Sequence, residues 1–103
     1  MNVEELLSSP ERWTQGTMAR SAGGGRVSPH SGYAVAWCLV GAIKRCYTDP
    51  TPAINKVARS LRDREVVQPD GWIETNITTV LWWNDHRERT WQDVIRLVKR
   101  LEI

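Results

Sequence analysis

The sequence contains no phenylalanine, only two cysteines and two histidines, and no large excess of either charge. With 14 Lys and Arg against 12 Asp and Glu, the net charge of +2 does not by itself indicate a nucleic-acid partner. No apolar run reaches the roughly 18–20 residues that span a bilayer, so we expect no membrane partner. Because Met1–Glu5 lacks a basic stretch leading into an apolar one, we expect no secretory signal and a cytoplasmic protein.

The scarcity of cysteine and histidine limits the chemistry of disulfides and metals. If Cys38 and Cys46 share one helix, the rise of about 1.5 Å per residue separates them by roughly 12 Å, whereas a disulfide needs Cα atoms within about 7 Å. Close pairs such as Cys-x-x-Cys or His-x-x-x-His, which are typical of zinc sites, do not occur. We therefore expect two free thiols, no metal and no cofactor.

The aromatic residues present are mainly tryptophans, of which there are six. Most should lie in the core, because a small domain needs its largest side chains inside, and one or two could serve a binding surface, where tryptophan is favoured. The length of 103 residues predicts a single domain over residues 1–103.

The hydrophobic pattern predicts a mainly α domain with four to five helices around a central apolar helix and a short β-hairpin, hence a small α+β domain. The predicted central helix is Tyr33–Tyr47, which is apolar nearly all round and preceded by Ser31 as a capping residue. One of its faces carries only small residues: Ala34, Cys38, Gly41 and Ala42. Such a face would let another backbone approach closely.

The other elements are predicted from local signals. Val3–Leu7 reads as a short helix, and Thr51 followed by Pro52 marks the start of another. Thr90, with Asp93 three residues later, resembles a capping box that starts the last helix. Its expected buried stripe is Trp91, Val94, Ile95, Val98 and Leu101.

Three segments are less definite. The glycines Gly23–Gly25 lie between two short extended arms, which favours a small hairpin over a mobile loop. Residues 72–83 fit either a helix or a strand, since they are rich in Thr and Ile. Trp83–Arg89 is predicted to be a polar loop.

Cys38 is the candidate nucleophile of a cysteine-dependent enzyme. His86 or His30 could act as its base, with Asp85 or Asn84 to orient the imidazole, so the catalytic set would be Cys38, His86 and Asp85. The simpler interpretation is favoured: Cys38 lies between Trp37 and Leu39 in an apolar segment, and cysteine is among the most buried residue types.

A basic face on the last helix is the main candidate for binding. It comprises Arg87, Arg89, Arg96, Lys99 and Arg100. These side chains could meet the phosphates of a nucleic acid or an acidic protein, and the simpler alternative is a solvated helix face.

Several short motifs resemble those of a family of small bacterial and phage proteins, a domain of unknown function. The motifs are Trp13–Gly16, Ala19-Arg20, Trp37–Ala42, Trp83–Asp85, Arg89-Thr90 and Val94. The resemblance implies no activity. It does imply that Gln15, Cys38, Asn84 and Asp85 converge at one end of the central helix.

The sequence thus predicts a non-enzymatic module that binds a protein partner. An origin in mobile elements would suit an inhibitor or adaptor that acts on a host protein complex, such as an anti-CRISPR-like inhibitor of host defence. The predicted binding residues are Arg87, Arg89, Trp91, Arg96, Gln15 and Asn84, together with the glycine tip. The alternatives are an enzyme that uses Cys38 with a histidine and a nucleic-acid-binding protein that uses the basic last helix.

Overall fold

The computed structural model describes residues 1–64 and 76–103. In chain order the elements are α1 (Val3–Leu6), a 3₁₀ turn (Pro10–Arg12), β1 (Ala19–Ser21), β2 (Ala34–Trp37), α2 (Leu39–Cys46), α3 (Thr51–Arg64), α4 (Asn76–Asp85) and α5 (Trp91–Leu101). The five helices and the two-stranded antiparallel sheet of these residues confirm the predicted small α+β fold.

Helix α2 lies at the centre and contacts α1, α3, α4 and β2. Its five consecutive residues from Leu39 to Ile43 are all buried, so the helix is enclosed on every side there. The structure therefore confirms a central apolar helix. The neighbouring elements contribute the rest of the core, which includes Val3, Leu6, Leu7, Ile54, Val57, Ala58, Leu61, Val80, Trp83, Val94, Leu97 and Val98.

The prediction that the central helix runs over Tyr33–Tyr47 is wrong at its N-terminal end. The segment Ala34–Trp37 is instead strand β2, which pairs antiparallel with β1. Its Val and Trp residues favour a strand, and pairing with β1 satisfies backbone groups that a solitary helical turn would not. Helix α2 begins only after Cys38, so Ser31 does not cap it.

The predicted hairpin around the glycines is right about the chain reversal and wrong about the main pairing. Ser21 N donates to Gly25 O at 2.9 Å, and an isolated bridge joins Arg20 to Arg26. The regular partner of β1 is nevertheless β2, whose register pairs Ala19 with Trp37.

The four small residues do not form one helix face, because Ala34 lies in β2 and Cys38 caps α2. The close approach predicted for that face nevertheless occurs at Gly41. A Cβ atom built there would overlap the carbonyl oxygen of Met18 and lie 2.9 Å from its carbonyl carbon. The same oxygen accepts a hydrogen bond from Cys38 N at 3.1 Å. The segment before β1 therefore packs directly on the backbone of α2, and only glycine leaves room for it.

The remaining helices largely follow their sequence signals. Thr90 and Asp93 form the predicted capping box of α5, and α4 resolves the helix-or-strand ambiguity in favour of a helix from Asn76 onward. The predictions for residues 72–75 fall outside the described residues. The predicted loop Trp83–Arg89 is wrong in its first half, because α4 continues to Asp85 and only residues 86–89 connect it to α5.

None of the described helices has the length and apolar composition needed to cross a membrane.

Candidate functional site

Asn84, near the C-terminal end of α4, is fully buried and joins three segments of the chain. Its Oδ1 accepts hydrogen bonds from Trp13 Nε1 at 2.7 Å and from Leu39 N at 3.0 Å. Its Nδ2 donates to Thr14 O at 3.2 Å and to Asp85 Oδ1 at 2.9 Å. An amide side chain has two acceptor positions and two donor hydrogens, so Asn84 has no capacity left for a ligand.

The segment Trp13–Gly16 is held across the end of α4 by further bonds, and we call this whole arrangement the Asn84 junction. Gln15 Nε2 donates to Asn84 O and to His86 O, both at 2.9 Å. Gly16 N donates to Asp85 Oδ1 at 3.1 Å. Gln15, Asn84 and Asp85 therefore converge at the start of α2, where their polar groups bind one another and the backbone. This geometry serves packing, and we place neither Gln15 nor Asn84 on a binding surface.

Cys38 completes the junction as the residue that caps α2. Its side chain is fully buried, and Sγ accepts a hydrogen bond from Gly41 N at 3.3 Å. Burial raises the pKa of the thiol to about 11, and the nearby carboxylate of Asp85 adds to this effect, which the Gly41 bond only partly offsets. A thiol with this pKa stays protonated near neutral pH, which does not suit a nucleophile.

The two histidines do not assist Cys38 in the described part of the chain. Both side chains are exposed, and His86 Nδ1 accepts a hydrogen bond from Glu88 N at 3.3 Å. Among the described residues, no group of three or more His, Cys, Asp and Glu side chains is arranged to hold a metal.

The predicted basic surface of the last helix divides into two sides. Trp91 is half-buried, and its Nε1 donates to Leu7 O at 2.8 Å, so it anchors α5 to the end of α1. Lys99 lies on this same side, with Nζ 3.9 Å from Glu4. Arg87 is exposed in the preceding loop. Trp91 thus belongs to the packing of α5 against the end of α1, whereas Lys99 is an exposed cation beside Glu4.

Three arginines gather on the other side of α5, around a concavity of about 50 Å³. We call it the arginine notch, and it is lined by Trp83, Arg89, Asp93, Arg96, Leu97 and Arg100. Trp83 comes from α4 and Arg89 from the loop before α5, so the loop 86–89 positions the notch as well as connecting the two helices.

Arg89 is the fixed element of the notch. Its guanidinium carbon lies 4.0 Å from the centroid of the Trp83 ring, and its Nε donates to Trp83 O at 2.9 Å. Stacking of this kind is a cation–π contact and orients the planar guanidinium. Within the described residues, the two terminal nitrogens of Arg89 have no hydrogen-bond partner, so their donors are available to solvent or to a ligand.

The acidic residue of the notch, Asp93, is already engaged. Its Oδ2 accepts from Thr90 N at 3.1 Å in the capping box, and its Oδ1 lies 3.7 Å from Arg96 Nη1. Within the described part of the chain, Arg100 makes one long side-chain bond, from Nη2 to Ser60 Oγ at 3.4 Å. Among the described residues, three guanidinium groups and one carboxylate line the notch, which gives these side chains two net positive charges.

The sequence predicts Arg89 and Arg96 as binding residues but not the other four described groups that line the notch. It places Arg100 on the wider basic face and Asp93 only in the capping box, and it assigns no binding role to Trp83 or Leu97. A usable signal is the spacing of Asp93, Arg96 and Arg100, at intervals of three and four residues, which places their side chains on one face of a helix. The stacking of Arg89 on Trp83 has no such signal.

A wider groove of about 610 Å³ lies at the C-terminal end of α2. It is lined by His30, Lys44, Arg45, Cys46, Tyr47, Thr48 and Pro50. The guanidinium of Arg45 also contacts Pro29 O and Ser31 O at 3.4 Å, and it lies 5.9 Å from the Trp37 ring. Because this arginine already binds a loop, the arginine notch is the better candidate for a site.

Fold and site together define a small α+β domain with a cationic notch and a buried thiol. The model of the family of unknown function DUF6197 matches residues 2–102, and the chain belongs to this family. Comparison with curated proteins and with solved structures finds no match. The family has no assigned activity.

Proposed function

We propose that this protein is a non-enzymatic binding module that holds an acidic segment of a protein partner in the arginine notch. The observation that carries the proposal is Arg89, whose guanidinium is oriented by Trp83 and whose terminal donors have no partner among the described residues. Guanidinium groups bind carboxylates and phosphates through two parallel hydrogen bonds. A fixed guanidinium loses less conformational entropy on binding than a mobile one, which favours affinity.

Arg96 and Arg100 support the proposal as cations on the rim of the notch. The Arg96 side chain is 74% exposed, and its ion pair with Asp93 is long at 3.7 Å. Such a pair is weak in water, so an incoming anion can displace it at little cost. Exposed charges of one sign accelerate the encounter with an oppositely charged partner.

A module of this size would act by occupying a surface of its partner. The role of an inhibitor or adaptor of a host protein complex, expected from the resemblance to mobile-element proteins, fits this mode of action. An acidic surface of that complex is then the binding partner. The two alternative functions fit less well, because Cys38 is buried and protonated and because Lys99 lies beside Glu4, away from the notch.

The test is the affinity of a fluorescently labelled peptide of mixed Asp and Glu for two double variants that lose the same charge. We expect Arg96→Ala/Arg100→Ala to weaken binding by about tenfold or more, equivalent to about 1.4 kcal/mol. The control, Arg26→Ala/Arg59→Ala, removes two exposed arginines elsewhere and should stay within about twofold. Fluorescence anisotropy at moderate salt measures both.

Two outcomes would contradict the proposal. Equal losses in the two double variants would show that only the overall charge matters. Displacement of the peptide by duplex DNA at a lower concentration than unlabelled peptide, with an affinity that falls steeply as salt rises, would favour the nucleic-acid alternative instead.

A further inference from the structure

We infer that the arginine notch is a site for a single phosphate monoester group, carried on a phosphorylated side chain of the partner. This inference rests on the proposed function, since it specifies which acidic group of the partner enters the notch. It depends on three features of the described residues: the charge of the notch, its size and the arrangement of its donors.

The charge of the notch matches a dianion better than a carboxylate. Among the residues described at the notch, Arg89, Arg96 and Arg100 face one carboxylate, that of Asp93, which leaves two positive charges to be balanced. A phosphate monoester carries about −1.5 to −2 charges at pH 7, whereas an Asp or Glu side chain carries −1. A carboxylate would therefore leave the notch about half neutralised.

The size of the notch fits one oxyanion group. Its volume of about 50 Å³ is well below the roughly 300–1,000 Å³ of pockets that enclose a whole small molecule. A nucleotide or a metabolite could place only its phosphate inside. The rest of the ligand would lie on the surface, as the backbone of a bound peptide does.

The donors suit a tetrahedral group with three terminal oxygens. Arg89 offers its terminal nitrogens from a fixed position above Trp83. Arg96 and Arg100 lie four residues apart on α5 and approach from the helix side. Donors that arrive from two elements can bind different oxygens of a phosphate, while a planar carboxylate has only two oxygens, both of which a single guanidinium can occupy.

The first experiment compares methyl phosphate, methyl sulfate and acetate as probes of the full chain at pH 7.5 and constant ionic strength. The first probe is a tetrahedral dianion, the second a tetrahedral monoanion and the third a planar monoanion. Titrations are followed by the side-chain Nε–H signals of Arg89, Arg96 and Arg100 in nitrogen–proton NMR spectra. We expect methyl phosphate to bind at least about tenfold more tightly than either monoanion and to shift all three signals.

Matched variants assign the effect to the notch. Arg89→Lys keeps the charge but removes the planar fork, and it should weaken methyl phosphate binding by about fivefold or more. Arg59→Lys makes the same change at an exposed position of α3 outside the notch, and it should have no effect. Equal losses in both variants would overturn the assignment of the site.

The second experiment identifies the source of the phosphate. Three acidic peptides, identical except for a central phosphoserine, aspartate or serine, are compared with inorganic phosphate. We expect the phosphoserine peptide to bind at least about tenfold more tightly than the other two peptides and than inorganic phosphate. If inorganic phosphate binds as tightly as the phosphopeptide, a phosphate carried by a protein is not the ligand.

The results separate this inference from the proposal on which it rests. If all three peptides bind the notch equally and methyl phosphate shows no preference over acetate, the inference fails and the proposed acidic partner stands. If no peptide and no anion shifts the arginine signals, both fail.

Discussion

Asn84 and Trp83, which are adjacent at the end of α4, belong to two polar sites that differ in how many of their hydrogen-bonding groups have partners. Asn84 is fully buried, and each of its amide donors and acceptors has a partner within the chain. Trp83, one residue earlier, supports Arg89, whose terminal nitrogens have no partner among the described residues. Polar groups whose hydrogen bonds are all made within the chain stabilise the fold, whereas groups that are held in place but still have free donors are available for a ligand.

The largest effect should come from removing the centre of the Asn84 junction. Asn84→Ala leaves the buried Leu39 N–H and the Trp13 indole N–H without acceptors, and each orphaned group costs about 1–3 kcal/mol. We expect the free energy of unfolding to fall by about 3–5 kcal/mol, measured by urea denaturation. Asn55→Ala is the control, because the half-buried Asn55 accepts one side-chain bond among the described residues, from Asn76. Equal losses in the two variants would contradict the central role of the junction.

The second largest loss of stability is expected at Gly41, where the backbone of α2 lies directly against the backbone of the segment before β1. Gly41→Ala places a methyl group on the Met18 carbonyl, and backbone has to move to accommodate it. We expect a loss of about 3 kcal/mol in the free energy of unfolding, at the upper end for overpacking. Gly23→Ala is the matched control, because a Cβ there meets no atom within 4 Å. Thermal unfolding of both variants should show a large shift for the first and almost none for the second.

These two sites show what the sequence could predict. The central apolar segment, the close-packing role of Gly41 and the capping box at Thr90 depend on local patterns of size and polarity, and they were predictable. The strand Ala34–Trp37 was not, because an apolar stretch of that length fits a buried helix or a strand equally well. Pairing with Ala19–Ser21 makes this segment a strand, and that contact joins segments that are distant in the chain.

The Asn84 junction and the arginine notch also differ in how far the sequence predicts them. The convergence of Gln15 with Asn84 and Asp85 followed from a resemblance in motifs, and the structure shows that these groups bind one another. Arg89 and Arg96 were expected on a basic face, but the notch depends on the stacking of Arg89 on Trp83. That contact requires α4 to end at Asp85 so that the loop 86–89 can turn back, and the sequence instead predicted a loop from Trp83 onward.

A third prediction concerns the buried thiol at the edge of the junction. Because burial raises the pKa of Cys38 from about 9 to about 11, the unfolded chain loses this proton at a lower pH than the folded chain does. The folded state then binds more protons, so the thiol's contribution to stability is present below pH 9 and is lost as pH rises from 9 to 11. This loss should reach about 2 kcal/mol at the upper end.

The measurement is the difference in pH dependence between the wild-type protein and Cys38→Ser, both followed by urea denaturation. Serine keeps an acceptor for Gly41 N but has no proton to lose in this range, so its variant should show a shallower decline above pH 9. Parallel curves would show that another group causes the decline. The same burial predicts that a thiol reagent modifies Cys38 only after unfolding.

The smallest change in stability is expected at the notch itself, within the single ion pair of Arg96 and Asp93. Arg96→Ala should alter the free energy of unfolding by less than about 0.5 kcal/mol, because exposed pairs contribute little. Asp93→Ala removes the same pair together with one bond of the capping box, from Thr90 N to Asp93 Oδ2, while Thr90 still accepts from the backbone N–H of residue 93, so it should cost about 1 kcal/mol. Urea denaturation and anion titration of both variants separate a role in binding from a role in stability. Arg96→Ala should weaken anion binding at nearly constant stability. Asp93→Ala should lower stability but strengthen anion binding, because it removes the negative charge of the notch. If Arg96→Ala destabilised the fold as much as Asp93→Ala, the arginines would belong to the packing of α5, as the polar groups around Asn84 belong to the packing of α2.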